Sequence, residues 1–146
     1  MQVSSFSDYA LRILMSLASV PDRTLSVRSL AERHGLSFDH LAKVGQFLAR
    51  EGFVEATRGR GGGLRLARPA DEIMIGDVLR RSEACSGLVE CLRPGAEVRC
   101  VLAPVCGLSP ILAEAEEAFF ARLDRRSIAD AVPQPAQVRA AIGADG

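Results

Sequence analysis

The run SVRSLAERHGLSFDHLAKVGQFLAREGFVEATRGRGGGLRL, residues 26–66, decides the fold. Ser26 stands where a helix N-cap is needed, because its hydroxyl can accept a backbone N–H that the first turn leaves unbonded, and Val27, Leu30 and Ala31 follow at helical spacing. Gly35 closes this helix as a left-handed stop. Ser37 is placed to cap a second helix, with Phe38, Leu41, Val44 and Leu48 turned inward and Gly52 at its end. Two helices joined through His34-Gly35-Leu36 predict a helix-turn-helix. Phe53–Thr57 and Leu64–Ala67 then alternate with period two. Between them, the glycines of Arg58-Gly59-Arg60-Gly61-Gly62-Gly63 permit the positive φ angles of a hairpin tip. A helix-turn-helix followed by a β-hairpin with a basic, glycine-rich tip is the order of a winged helix-turn-helix domain.

The flanks extend this reading. From Phe6 to Ala18 the residues Phe6, Ala10, Ile13, Leu14, Leu17 and Ala18 recur at spacings of three and four, an amphipathic helix that Pro21-Asp22 closes. Downstream, Pro69 ends the hairpin and Ile75–Arg81 read as a short helix. Residues 84–108 hold every cysteine amid Gly and Pro without periodicity, and read as a loop. Ser109-Pro110 supply an N-cap and a first-position proline for a helix to about Arg126, striped by Ile111, Leu112, Ala115, Ala118, Phe119 and Leu123. That stripe exceeds what the winged head needs to cover, so it predicts a second copy and a homodimer. Ser127 can cap one more turn through Ile128 and Val132. The expected fold is mostly α with a small β-hairpin: a winged helix-turn-helix domain at 1–82, a cysteine-bearing loop at 83–108, a dimerisation helix and short C-terminal helix at 109–132, and a flexible tail at 133–146.

Composition narrows the class. A chain of 146 residues suits one domain and buries enough surface to fold without disulfides or metal. Hydrophobic residues at 48% and charged residues at 25% exclude disorder, collagen and coiled-coil rod. Eighteen basic residues balance eighteen acidic ones, yet residues 1–70 carry ten against six and residues 71–146 eight against twelve. Between Arg23 and Arg68 the count is nine to four, a basic front suited to a polyanion. The apolar run Ala10–Val20 is too short to span a membrane, is broken by Arg12, and has no basic leader. A cytoplasmic location with reduced thiols and no membrane partner is the expectation.

Cys85, Cys91, Cys100 and Cys106 are separated by five, eight and five residues. Zinc sites want short Cys-x2–4-Cys pairs, and a redox pair wants Cys-x-x-Cys; neither occurs. Widely spaced thiolates on a Gly/Pro-rich loop can wrap an iron–sulfur cluster. From spacing alone a cluster, a zinc ion and four inert cysteines all stay open. No nucleophile elbow, zinc-protease motif or phosphate-binding loop is present, so no enzyme is expected. His34 reads as a capping or surface residue, and His40 as an exposed residue in the first turn of its helix, within reach of a base edge or phosphate.

Four motifs agree in order: Phe6-Ser7-Asp8-Tyr9-Ala10-Leu11-Arg12; Arg58-Gly59-Arg60-Gly61-Gly62-Gly63-Leu64-Arg65-Leu66; Ile75-Gly76-Asp77-Val78; and Val89-Glu90-Cys91 through Cys100 to Cys106-Gly107-Leu108. Over about residues 1–132 the chain resembles the iron–sulfur winged-helix transcription regulators of the Rrf-two superfamily. Within that group it is most similar to the NsrR-type, nitric-oxide-sensing repressors. The resemblance implies a [4Fe–4S] cluster on Cys91, Cys100 and Cys106, with Asp8 of the partner subunit as fourth ligand and [2Fe–2S] as the alternative. Cys85 lies outside the three-cysteine pattern. The eight-residue gap is close to that of iron-responsive RirA-like proteins, whereas Asp8 is the NsrR-type feature. The histidine ligand of IscR-like proteins is missing, since Gly107, Leu108 and Ser109 follow Cys106.

The implied function is a homodimeric repressor that sits on a palindromic double-stranded operator and leaves it when nitric oxide damages the cluster. The alternatives are a RirA-like or IscR-like regulator that answers to iron or redox state, and a protein-interaction module that does not bind DNA. On this fold Ser37, Phe38, Asp39, His40 and Lys43 would enter the major groove and Arg60 the minor groove. Arg50, Arg58 and Arg65 would contact phosphate.

Overall fold

The computed structural model describes residues 3–144 apart from Arg58 and Arg60. Its elements run α1 (Ser5–Ala18), α2 (Val27–His34), α3 (Phe38–Arg50), β1 (Val54–Thr57), β2 (Gly63–Leu66), α4 (Ile75–Ser82), α5 (Leu108–Leu123), α6 (Ile128–Ala131) and α7 (Pro135–Ala141), with short 3-10 turns between. It is a mostly helical chain with one antiparallel hairpin, as the sequence predicts. Among the described residues no helix is long and apolar enough to cross a membrane.

The head is built on α1. Ser4 caps it, accepting the Ser7 N–H at 3.2 Å, and Ala10, Ile13, Leu14 and Leu17 are all buried. Their stripe packs against α3 through Leu41, Val44 and Leu48, which with Leu30, Phe53 and Val78 complete one continuous core. Ser26 caps α2 by accepting the Ser29 N–H at 3.1 Å, and Gly35 ends it at φ 64°. In the wing Val54 pairs with Leu66 and Ala56 with Leu64. Leu25 exchanges backbone hydrogen bonds of 3.0 and 2.8 Å with Leu64, adding a one-residue bridge on the far side of β2. Gly63 makes that approach possible: a Cβ there would lie 2.6 Å from the Leu25 carbonyl oxygen.

The structure departs from the sequence reading at five places. Phe38 does not turn inward; as the first residue of α3 it precedes the buried stripe and stays 43% exposed. Ser37 has the extended backbone of an N-cap, but its hydroxyl makes no cap bond. His34 is half-buried, with Nε2 2.9 Å from Ser16 Oγ. That hydroxyl already donates to the Arg12 carbonyl, so it accepts from His34. Burial first, then the nearby Arg12 charge, hold the imidazole below its ordinary pKa. Helix α5 begins at Leu108 and stops at Leu123, so Ser109 and Pro110 lie inside its first turn, where a proline costs no intrahelical bond. None of its residues is buried.

The fifth departure is the segment expected to fray. Residues 135–141 form α7, and Ile142 and Ala144 are buried at 8% and 1% exposure. Three arginines fasten this segment. Arg23 donates to the Ala144 carbonyl at 3.0 Å, Arg33 donates to the Ile142 carbonyl, and Arg139 donates to the Ser19 carbonyl at 2.9 Å. Elsewhere α4 and α5 are clamped by Arg80, which bonds Glu117 at 2.9 and 3.0 Å and Asp124 at 3.0 Å while lying over the Phe120 ring. Ser127 and Asp130 form a capping box at α6. Ile142→Ala should lower unfolding free energy by about 2 kcal/mol, as for a buried aliphatic side chain. Chemical denaturation measures this, and an unchanged midpoint would mean that the segment frays in solution.

Candidate functional site

Two surfaces carry chemistry. The first is the outer face of α3. Because Leu41, Val44, Gly45, Phe47 and Leu48 fill the inner stripe, Ser37, Phe38, Asp39, His40, Lys43 and Arg50 are left exposed on the other side. Gln46 joins them; it was legible as the residue three beyond Lys43, and the sequence reading passed over it. Arg28 was missed as well. It reaches from the first turn of α2 over the Phe38 ring, 5.0 Å from its centroid. Two expected phosphate contacts are partly neutralised within the chain: Arg65 bonds Glu55 at 2.6 and 2.8 Å, and Arg50 pairs with Glu51 at 3.1 Å. Arg58 and Arg60 lie outside the described residues.

The second surface is the cysteine loop between α4 and α5. Its chain turns through 3-10 segments at Glu90–Leu92 and Ala103–Val105. Cys91, Cys100 and Cys106 line one cleft of about 290 Å³, together with apolar residues such as Val89, Leu102 and Leu112. Cys85 is exposed and does not line it. Cys91 Sγ lies 3.9 Å from Ser109 Oγ. Among the described residues no three His, Cys, Asp or Glu side chains converge closely enough to hold a single metal ion. Three thiols along one apolar cleft are a donor set of the kind that iron–sulfur clusters use. Asp8 is not among the residues of this cleft; in its own chain it is half-exposed and bonded by Arg12 at 2.8 and 3.0 Å.

A polar knot ties the loop to the head. Glu83 Oε1 accepts from the Ser4 N–H at 2.8 Å and from the Ser7 hydroxyl at 2.6 Å, while Oε2 accepts from Ser86 at 2.7 Å. Ser7 is fully buried, and its hydroxyl also meets Ser82 at 2.7 Å. Burial raises the Glu83 pKa, but the hydrogen bonds from Ser4, Ser7 and Ser86 outweigh it and hold the carboxyl below its ordinary value. Thus α1, the end of α4 and the start of the cysteine loop meet at one carboxylate.

A winged helix-turn-helix head followed by a cysteine loop and a long unburied helix is the layout of a transcription regulator. The Rrf2 model, described as an iron-dependent transcriptional regulator, matches residues 3–134, and the chain belongs to that family. Its members are transcription regulators rather than enzymes; they bind DNA and form dimers. Among solved structures, CymR of B. subtilis, described as its global cysteine regulator, is 25% identical with a TM-score of 0.66, covering 91% of this chain and 97% of its own. CymR of S. aureus in its oxidized form is 26% identical with a TM-score of 0.70, covering 92% and 98%. IscR of T. potens is 25% identical with a TM-score of 0.69, covering 94% and 91%.

Because folding lowers the Glu83 pKa, the knot stabilises the fold above the ordinary glutamate value of 4.5 and loses that contribution as pH falls below it. Glu83→Gln should therefore destabilise the protein at pH 7, with a penalty that shrinks as pH falls below 4.5. A penalty independent of pH in paired denaturation curves would show that charge on Glu83 plays no part.

Proposed function

We propose that this chain is a dimeric DNA-binding repressor whose cysteine loop holds a [4Fe–4S] cluster and responds to nitric oxide. The observation that carries this reading is the gathering of Cys91, Cys100 and Cys106, without Cys85, on one apolar cleft of an Rrf2 chain. When bound, the cluster supplies iron that reacts with nitric oxide. Cys91, Cys100 and Cys106 hold it, and Asp8 of the partner subunit completes the set. Arg12 orients Asp8 from one turn away on the same helix.

The chain's own contacts offer a route from loop to groove. Glu83 joins the start of the loop to Ser4 and Ser7 on α1, and Phe6 of α1 meets Phe47 of α3 edge-on at 5.2 Å. A shift of the loop is thereby felt at α3, with a coupling of about 1–3 kcal/mol typical of such linkage. On the DNA side, Ser37, Phe38, Asp39, His40 and Lys43 face base edges, and Arg50, Arg58 and Arg65 steady the backbone, with Arg60 at the minor groove. The exposed stripe of α5, with Ile111 at 63%, suits a two-fold partner that spaces two such heads on a palindrome.

Anaerobic purification followed by nitric oxide titration, read by absorbance and DNA binding together, tests this. Cys91→Ala, Cys100→Ala and Cys106→Ala should each abolish cluster binding, Cys85→Ala should retain it, and Asp8→Ala should give a more labile cluster and weaker DNA binding. If Cys85→Ala lost the cluster while Asp8→Ala behaved as wild type, the ligands would be four cysteines and the nitric oxide assignment would fall. The exposure of Cys85 and Cys100 favours a second reading, in which iron supply or thiol oxidation is the signal. It predicts release from DNA by iron depletion or oxidant without nitric oxide.

The DNA face has its own check. Lys43→Ala should reduce the salt slope of operator binding by about one if Lys43 neutralises a phosphate, and should leave it unchanged if Lys43 meets a base.

A further inference from the structure

The junction of α2 and α3 carries an arrangement that neither helix needs for its own folding. Phe38 leaves 43% of its surface exposed, and the Arg28 guanidinium lies 5.0 Å from its ring centroid. Among the described residues Arg28 has no carboxylate within ion-pair distance, whereas Arg50, Arg65 and Arg68 face one at 3.1, 2.6 and 3.8 Å. Asp39, the next residue on α3, is exposed and among the described residues has no basic partner within ion-pair distance. An unpaired cation pinned on an unburied ring, at the start of the helix that faces the groove, asks for a partner outside the chain.

The chemistry of that partner follows from the geometry. The cation–π contact holds the guanidinium over one face of the ring, and among the described residues its N–H donors meet no carboxylate. The fork matches phosphate oxygens and the O6 and N7 acceptors of guanine alike, and its place over the first residue of the groove-facing helix favours the base. Asp39 argues the same way, since a carboxylate beside Phe38 repels phosphate yet accepts from a cytosine amino group. The exposed edge of Phe38 offers apolar contact of the kind a thymine methyl makes. We propose that Arg28 and Phe38 form a cation–π pair that reads base identity in the major groove, Arg28 taking a guanine and Phe38 the methyl of a neighbouring thymine. This rests on the DNA-binding reading above, and the test separates the two.

The full-length, anaerobically purified protein is used to select duplexes from a randomised library. The selected duplex is then remade with 7-deazaguanine or deoxyuridine at single positions. One 7-deazaguanine should weaken the wild type about 5- to 150-fold, and the same replacement should change Arg28→Ala by less than about twofold. Deoxyuridine beside that guanine should weaken the wild type and leave Phe38→Ala unaffected. Both side chains are exposed, so neither variant threatens the core. If every 7-deazaguanine penalty were the same in Arg28→Ala as in wild type, Arg28 would be a phosphate contact and the proposal would be overturned. A wild type that enriches no sequence at any salt concentration would instead sink the DNA-binding reading, and the proposal with it.

Discussion

Everything else in the fold leans on the burial of one face of α1. Ala10, Ile13, Leu14 and Leu17 are each within 1% of complete burial, and α3, α4, α6 and α7 all lie against that helix. A helix so enclosed cannot shift alone, because close-packed interiors transmit displacement rather than absorb it. Its N-terminal turn carries the contacts that reach the cysteine loop and α3. Ser4 and Ser7 hand hydrogen bonds to Glu83, Asp8 faces outward with Arg12, and Phe6 abuts Phe47. The core thus fixes α1 along its length and leaves its first turn as the meeting place of loop, α4 and α3.

Periodicity and caps made most of the head legible. Ser26 and Gly35 are local signals whose meaning depends on backbone geometry alone, and both act as the sequence predicts. Phe38 shows where that logic stops. Helical spacing assigns it to the inner stripe, but the first residue of a helix lies before the first full turn, and here the Arg28 guanidinium rather than the core receives it. Arg28 itself gave no signal, since an exposed arginine on a helix looks the same whether or not an aromatic ring lies beneath it. The C-terminal segment was misread for a related reason. Its Pro, Gly and Ala content resembles a loose end, and the features that fasten it, Arg23 and Arg33, lie more than one hundred residues earlier. Of the cysteines, spacing told only that they belong to one loop. That Cys85 stands apart from the cleft depends on how the loop turns, which no spacing records.

The basic front is less free than its composition implies. Arg65, Arg50 and Arg68 are each opposed by a carboxylate from a neighbouring strand, the next residue or α4. Such exposed pairs contribute little stability, but they temper the positive field of the head. Charges left without internal partners then stand out by contrast, and an approaching polyanion is oriented by a few cations rather than by a uniform patch.

The bridge between Leu25 and Leu64 reaches beyond the wing's shape. With β1 on one side and Leu25 on the other, the backbone at Leu64 spends its hydrogen-bonding groups within the chain. The open edge is then β1, four residues long and carrying Glu55 locked to Arg65. Short, charged edges are poor templates for strand addition, whereas a bare glycine-rich hairpin projecting from a small domain would invite it. Closing β2 beside the tip therefore protects a protein that must project a hairpin into solvent from sticking, sheet to sheet, to its own copies.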